Sequence, residues 1–163
     1  MRTRWMTPNW KNYYWHTPKQ ARPWLTETGS LTQRLRQSCQ GQFHLTLEHQ
    51  AFERPDLDEV QALNLKPGQH ALVREVLLWC HDEPVVWARS ILPYKTLQQI
   101  HHPLGHLGTT PLGDILFTQP HIHRGAIEVA EVEYNHAPHW ARRSIFEIEG
   151  WPILVSETFL NYL

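Results

Sequence analysis

Two charged side chains interrupt strands that are otherwise apolar. Side chains alternate across a strand, so in the run from Ala71 to Trp79 and on to Cys80, Leu72, Arg74, Val76, Leu78 and Cys80 share a face. Arg74 is the only charge on it. In the last apolar run Ile153, Val155, Glu157 and Phe159 share a face, and Glu157 is its only charge. A charge on an apolar face is costly unless paired. Three arrangements avoid the cost: the two residues pair with each other or with neighbours, the faces meet solvent, or both line a pocket for a small polar ligand. Glu75, next to Arg74, leaves open which face of its strand is exposed. In the pocket case, the planar fork of arginine grips a carboxylate through two parallel hydrogen bonds. A glutamate accepts from a hydroxyl or, when protonated, donates to it. Such a pocket fits a molecule with a carboxylate at one end and a hydroxyl at the other.

Other constellations are weaker. The chain has twelve histidines, and His101-His102 with His106, His121 with His123, and His136 with His139 resemble ligand pairs. None forms a HExxH or CxxC set, so no metal is expected. Ser90 and Ser156 lack the GxSxG context of a serine nucleophile. Gly105 to Gly108 is too short for a phosphate loop and lacks its lysine. Arg142-Arg143 could hold an anion, but reads rather as a basic turn, solvated or structurally paired. Cys39 and Cys80 match no catalytic signature and read as buried, reduced structural thiols.

The elements that must carry Arg74 and Glu157 follow from periodicity and punctuation. Ser30 caps a helix, with Gln33 at the capping-box position and Leu31 and Leu35 on one face; Gly41 ends the segment. Phe43 to Glu48 alternates as a strand. Residues 55–69 form a loop with one helical turn near Leu57–Leu63. Ala71–Trp79 and Val85–Leu92 make a hairpin around the turn Cys80–Pro84. Pro93 ends it, and Tyr94–Ile100 is helical. Thr110 caps a helix with Pro111 at its first position, continuing through Leu112, Ile115, Leu116 and Phe117. Three strands follow, near 123–134, 142–149 and 152–160, with a turn at Glu149–Pro152. The plan is α+β, with helices on one side of an antiparallel sheet.

Composition narrows the classes. A chain of 163 residues suggests one domain, 1–163, with the aromatic-rich segment 1–24 packed on it. That segment holds Trp5, Trp10, Trp15 and Trp24, half of the tryptophans, and disordered tails avoid aromatics. With 15 basic and 16 acidic side chains there is no basic face for nucleic acid. No run is long enough to span a membrane, and the N-terminus lacks the apolar core of a signal peptide. A cytoplasmic protein is expected.

Several segments, in order, resemble the bacterial chorismate pyruvate-lyase family. Leu72-Val73-Arg74-Glu75-Val76-Leu77-Leu78 with Pro84 resembles its central hairpin. Thr110-Pro111-Leu112-Gly113 with Leu116-Phe117 resembles its Thr-Pro-Leu-Gly segment. Trp140-Ala141-Arg142-Arg143-Ser144 resembles Trp-Gly-Arg-Arg-Ser, with Ala141 for glycine. Ile153 to Leu160 resembles the last strand, where threonine commonly stands at Ser156, and Ser30-Leu31-Thr32 resembles an early Ser-Met-Thr.

The resemblance implies a six-stranded antiparallel sheet with helices packed on it and flap helices over an enclosed ligand. It implies a carbon–oxygen lyase that needs no cofactor, taking chorismate to 4-hydroxybenzoate and pyruvate at the start of ubiquinone biosynthesis and acting as a monomer. Arg74 then matches the arginine on the ring carboxylate, and Glu157 the glutamate at the hydroxyl end. Leu112 matches a residue whose backbone touches ligand, and Leu31 a flap methionine whose apolar bulk it keeps. The alternative is a non-catalytic module that binds an aromatic acid, since ligand-sensing domains of some transcription regulators resemble this fold. Those normally follow a winged helix, and about thirty residues before the first matched motif are too few for one.

Overall fold

Strand-forming residues dominate three stretches of the chain, and each stretch pairs antiparallel with its neighbours. The computed structural model describes residues 7–101 and 103–163; Trp5 and His102 lie outside them. The strands are β1 (Phe43–Glu53), β2 (Ala71–Cys80), β3 (Glu83–Pro93), β4 (Ile122–Arg124), β5 (Glu128–Tyr134), β6 (Ala137–Ile148) and β7 (Trp151–Phe159). The helices are α1 (Arg22–Leu25), α2 (Leu31–Ser38), α3 (Leu57–Ala62), α4 (Tyr94–Gln99) and α5 (Leu112–Leu116). The sheet runs β1-β2-β3-β7-β6-β4, and β5 also pairs with β6. Two local meanders, β1–β3 and β4–β7, therefore meet where β3 pairs with β7.

The expected antiparallel α+β plan is present, with seven strands where six were expected. The seventh arises because the stretch read as one strand over 123–134 is interrupted. At Gly125 the chain turns in against β6: its N–H donates to the Ile145 carbonyl, and a Cβ there would sit 3.1 Å from that oxygen. Pairing resumes at Glu128 opposite Arg143. β5 returns to β6 through Asn135 and His136, both at positive φ, as a two-residue hairpin turn of the kind whose twist matches the strands. The sequence lacks the usual Asn-Gly pair there, which is why the start of β6 at Ala137 was placed too late.

The helix starts follow their caps. Ser30 Oγ accepts from the Gln33 N–H at 3.2 Å, as its position predicts. Asp56 and Glu59 form a capping box on α3. The expected cap at Thr110 is corrected: Pro111 itself is the extended residue before α5, and the Thr110 carbonyl is used elsewhere, by Arg74.

One face of the sheet carries two apolar clusters. One contains Trp24, Leu25, Leu31, Leu35, Val76, Leu78 and Phe159; the other contains Leu72, Leu92, Leu104, Leu112, Leu116, Phe146 and Ile153. α2 and α5 lie over the strip between them. The opposite face is also covered in part, by α3 and Leu63 against Val73, Ile91 and Leu154. There Arg89 meets Glu59 through two bonds of 2.8 and 2.9 Å, and Glu75 through a third. Burial alone would lower the Arg89 pKa, but the hydrogen bond and charge of Glu59, with Asp56 and Glu75, raise it overall. Glu75 thus belongs to the face opposite Arg74.

The reading of Cys39 and Cys80 as reduced thiols is corrected: they form a disulfide between the end of α2 and the end of β2, Cα atoms 5.3 Å apart. Sequence spacing could not reveal this, because packing of α2 on the sheet brings together residues 41 positions apart. Among the described residues no helix is long and apolar enough to cross a membrane.

α2 and α5 touch through small groups. Arg36 forms a two-pronged ion pair with Asp114, both bonds 2.8 Å, exposed enough to contribute about 0–1 kcal/mol. The closer contact is Gly113, where a Cβ would stand 3.0 Å from the buried Thr32 Oγ1. Gly113→Ala should therefore cost about 1–3 kcal/mol by overpacking. In a Thr32→Ala background most of that cost should vanish, and a double-mutant cycle by urea unfolding measures it. An equal cost in both backgrounds would show that the two helices do not meet at this contact.

Candidate functional site

Strand register sets the site. Arg74 on β2 lies opposite Ser90, which lies opposite Val155, which lies opposite Ser144. One step along, Val76, Ala88, Glu157 and Arg142 form the next row. Arg74 and Glu157 are thus two strands apart, roughly 10 Å, and two residues out of line, roughly 7 Å. Both point to the face beneath α2 and α5, where they line a single cavity with Leu31, Thr32, Leu112 and Phe146. All four residues singled out from the sequence, Leu31, Arg74, Leu112 and Glu157, line that cavity. Its free space is about 50 Å³, room for a few waters.

Arg74 is 2% exposed, and its partners are all neutral. Nη1 donates to the Gly108 carbonyl at 2.8 Å and to Gln50 Oε1 at 3.3 Å, and Nη2 donates to the Thr110 carbonyl at 3.1 Å. Among the described residues no carboxylate lies within 4.0 Å of it. Burial lowers its pKa, though a guanidinium stays protonated at neutral pH. The loop before α5 therefore turns carbonyls onto a cation and leaves the charge itself unanswered. Chemically, such an arrangement can receive an anion.

Glu157 is not alone. Arg142 Nε donates to its Oε2 at 2.5 Å, and Arg142 Nη1 donates to the Trp24 and Glu27 carbonyls. Arg142 is 1% exposed and holds Glu157 in place. The reading of Arg142-Arg143 as a basic turn is corrected: both are buried within β6, on opposite faces. Arg142 shares its face with Ser144, Phe146 and Ile148, so the parity rule that singled out Arg74 would have found it. The pair reads as a turn only if β6 is started too late. Arg143 faces α3, beside Asp58, Glu128 and the ring of Trp10, which also donates to Asp58.

Arg124 was missed altogether. It stands at the end of β4, its Nε donates to Ser144 Oγ at 3.0 Å, and its guanidinium lies over the Phe146 ring at 5.0 Å. A three-residue edge strand gives no alternation to read, so nothing in the sequence marked it.

The histidines go elsewhere. His101 lies against Glu149, His136 near Glu133, and His139 packs edge-on against Tyr134, while His121 and His123 are exposed. Among the described residues no three His, Cys, Asp or Glu side chains gather as a metal site.

The family model described as chorismate lyase matches residues 4–163. A protein of Methylobacillus flagellatus named "Probable chorismate pyruvate-lyase" is 42% identical over 153 residues, covering 85% of each chain. One of the same name from Methylococcus capsulatus is 41% identical over 149 residues, covering 84% of this chain and 92% of the relative. Among solved structures, the effector domain of PhnF from Mycobacterium smegmatis superposes with a TM-score of 0.54 at 14% identity, covering 82% of this chain and 89% of that one. A GntR-family transcriptional regulator from Enterococcus faecalis gives 0.50 at 15% identity, covering 73% and 89%. These structures share the fold. The sequence match along nearly the whole chain says more: this protein belongs to the chorismate lyase family.

Proposed function

We propose that the chain converts chorismate to 4-hydroxybenzoate and pyruvate in the cavity between the sheet and α2 and α5. The observation that carries this reading is the buried Arg74, which has only neutral partners and stands across the cavity from Glu157. Chorismate carries a ring carboxylate, and at the far side of its ring a hydroxyl beside an enolpyruvyl ether. Arg74 anchors the ring carboxylate and Glu157, oriented by Arg142, holds the hydroxyl end. Leu31 and Leu112 close over the ring.

The reaction is an elimination. The ring C–O bond to the enolpyruvyl group breaks, and its electron pair leaves on the ether oxygen. The ring carbon bearing the hydroxyl gives up its proton, and the C–H pair completes the aromatic ring. Enolpyruvate takes up a proton to become pyruvate. Aromatisation supplies the driving force, so this chemistry calls for no metal or redox cofactor. The protein's part is to position the substrate and to meet the charge that grows on the leaving oxygen. The cavity lies between the sheet and the two helices, so substrate entry and product release go with movement of α2 and α5. A cytoplasmic monomer goes with this reading, and cytoplasmic reductants would act on the Cys39–Cys80 bond.

The direct test is formation of 4-hydroxybenzoate from chorismate by the purified chain. A protein that binds 4-hydroxybenzoate without turning over chorismate would be a binding module instead. Arg74→Ala should weaken 4-hydroxybenzoate by about 2–5 kcal/mol in calorimetry, the loss expected when one partner of a buried charge pair is removed. Near-parent affinity in a folded variant would remove Arg74 from the site. Glu157→Gln keeps an acceptor for Arg142, so product should bind within about tenfold, ~1.4 kcal/mol. Single-turnover rates should fall by roughly 10²-fold or more if the carboxylate takes part in proton transfer. Equal small losses in rate and affinity would leave Glu157 a binding group only.

A further inference from the structure

The ionic groups lining the cavity are Arg74, Arg124, Arg142 and Glu157. Three guanidiniums against one carboxylate leave an excess of two positive charges among the described residues. Chorismate is a dianion, with one carboxylate on the ring and one on the enolpyruvyl group. Arg74 accounts for the first. The excess charge calls for a second anionic contact, and its location can be read from which guanidinium is unspent.

Arg142 is committed, through Glu157 and the carbonyls of Trp24 and Glu27. Arg124 is not. Its Nε is used by Ser144, but its Nη1 makes only long contacts of 3.4 Å to the Glu27 and Thr28 carbonyls. Among the described residues its Nη2 has no hydrogen-bond partner, and no carboxylate lies within 4.0 Å of the guanidinium. Its pKa is pushed down to about 10, first by burial and then by the like charge of Arg142, which together outweigh the opposing pull of the Glu157 and Glu27 carboxylates. An anion beside it relieves both effects.

Position agrees. Arg124 is paired to β6 opposite Phe146, on the side of the cavity away from β2 and Arg74. A ring held by Arg74 at one end and Glu157 at the other carries its ether next to the hydroxyl, hence on the Glu157 side. The enolpyruvyl carboxylate then reaches across the sheet toward β6 and β4, where Arg124, rooted two rows along from Glu157, leans back to bond Ser144 in the row between. Resting on the lyase reading above, we propose that Arg124 binds the enolpyruvyl carboxylate of chorismate. It thereby holds the leaving group during and after C–O cleavage, with the guanidinium kept flat by Phe146 and aimed by Ser144.

The product 4-hydroxybenzoate lacks this second carboxylate, which supplies the test. kcat/KM for chorismate and calorimetric affinity for 4-hydroxybenzoate are measured on the parent, Arg124→Met, Arg124→Lys and Arg124→Gln. For Arg124→Met we expect kcat/KM to fall about 10²-fold while product affinity stays within about threefold. Retained product affinity also reports that the pocket is intact. Arg124→Lys, which keeps the charge, should regain at least about tenfold of the loss. Arg124→Gln keeps a donor for Ser144, so it must show the same split if Arg124→Met does not fold. A folded variant with kcat/KM within threefold of an active parent overturns this assignment alone. A parallel fall of product affinity also overturns it, making Arg124 a structural support. A parent that forms no 4-hydroxybenzoate from chorismate overturns the lyase reading and this inference with it.

Discussion

A guanidinium taken out of water loses its hydration, and the loss is recovered only when other groups bond to it and an anion answers its charge. The two faces of this sheet treat that problem differently. On the face under α3, Arg89 has Glu59, Glu75 and Asp56 around it, and the arrangement is complete within the protein. On the face under α2 and α5, Arg74 has three carbonyl-type oxygens and no carboxylate among the described residues. Its hydrogen bonds fix where it points, and its charge stays without a counter-ion among the described residues. The register of the sheet, the path of the loop through Gly108 and Thr110, and the placing of α5 all serve to hold that one side chain in that state.

The sheet's topology explains why the site lies where it does. Each meander supplies part of the lining: β2 brings Arg74, while β7, β6 and β4 bring Glu157, Arg142 and Arg124. Only the β3–β7 pairing brings these parts together, so the site exists only once both meanders have joined. The apolar clusters on either side of the charged strip keep water from it, and in that drier setting each charge acts more strongly on whatever is bound. α2 and α5 meet through a partly exposed ion pair and a glycine against a threonine.

The effector domains of transcription regulators share this sheet and carry a different kind of output, which shows how little the fold by itself says of function. In this chain the distinguishing features are particular charges at particular register positions. Moving Arg74 or Glu157 by one residue would send it to the other face of the sheet, among the α3 contacts, without changing the fold's outline.

Arg74 and Glu157 were legible in the sequence because alternation in a strand is a local property, and a lone charge on an apolar face shows at a glance. The helix cap at Ser30, the central hairpin and the turn at Glu149-Gly150 were legible for the same reason: short-range sterics and hydrogen bonding decide them. What each charge is paired with was not. That Glu75 answers Arg89, that Arg142 holds Glu157, that Cys39 reaches Cys80 and that Arg124 enters the cavity from a three-residue edge strand depend on contacts between residues 14 to 41 positions apart, or across strands whose order no local pattern encodes. The amino-acid sequence by itself determined which residues are too polar for their strands. The tertiary structure decided which of those charges neutralise each other and which stand without a carboxylate partner among the described residues, because Coulomb interactions act on distances in space and only the packed sheet sets them.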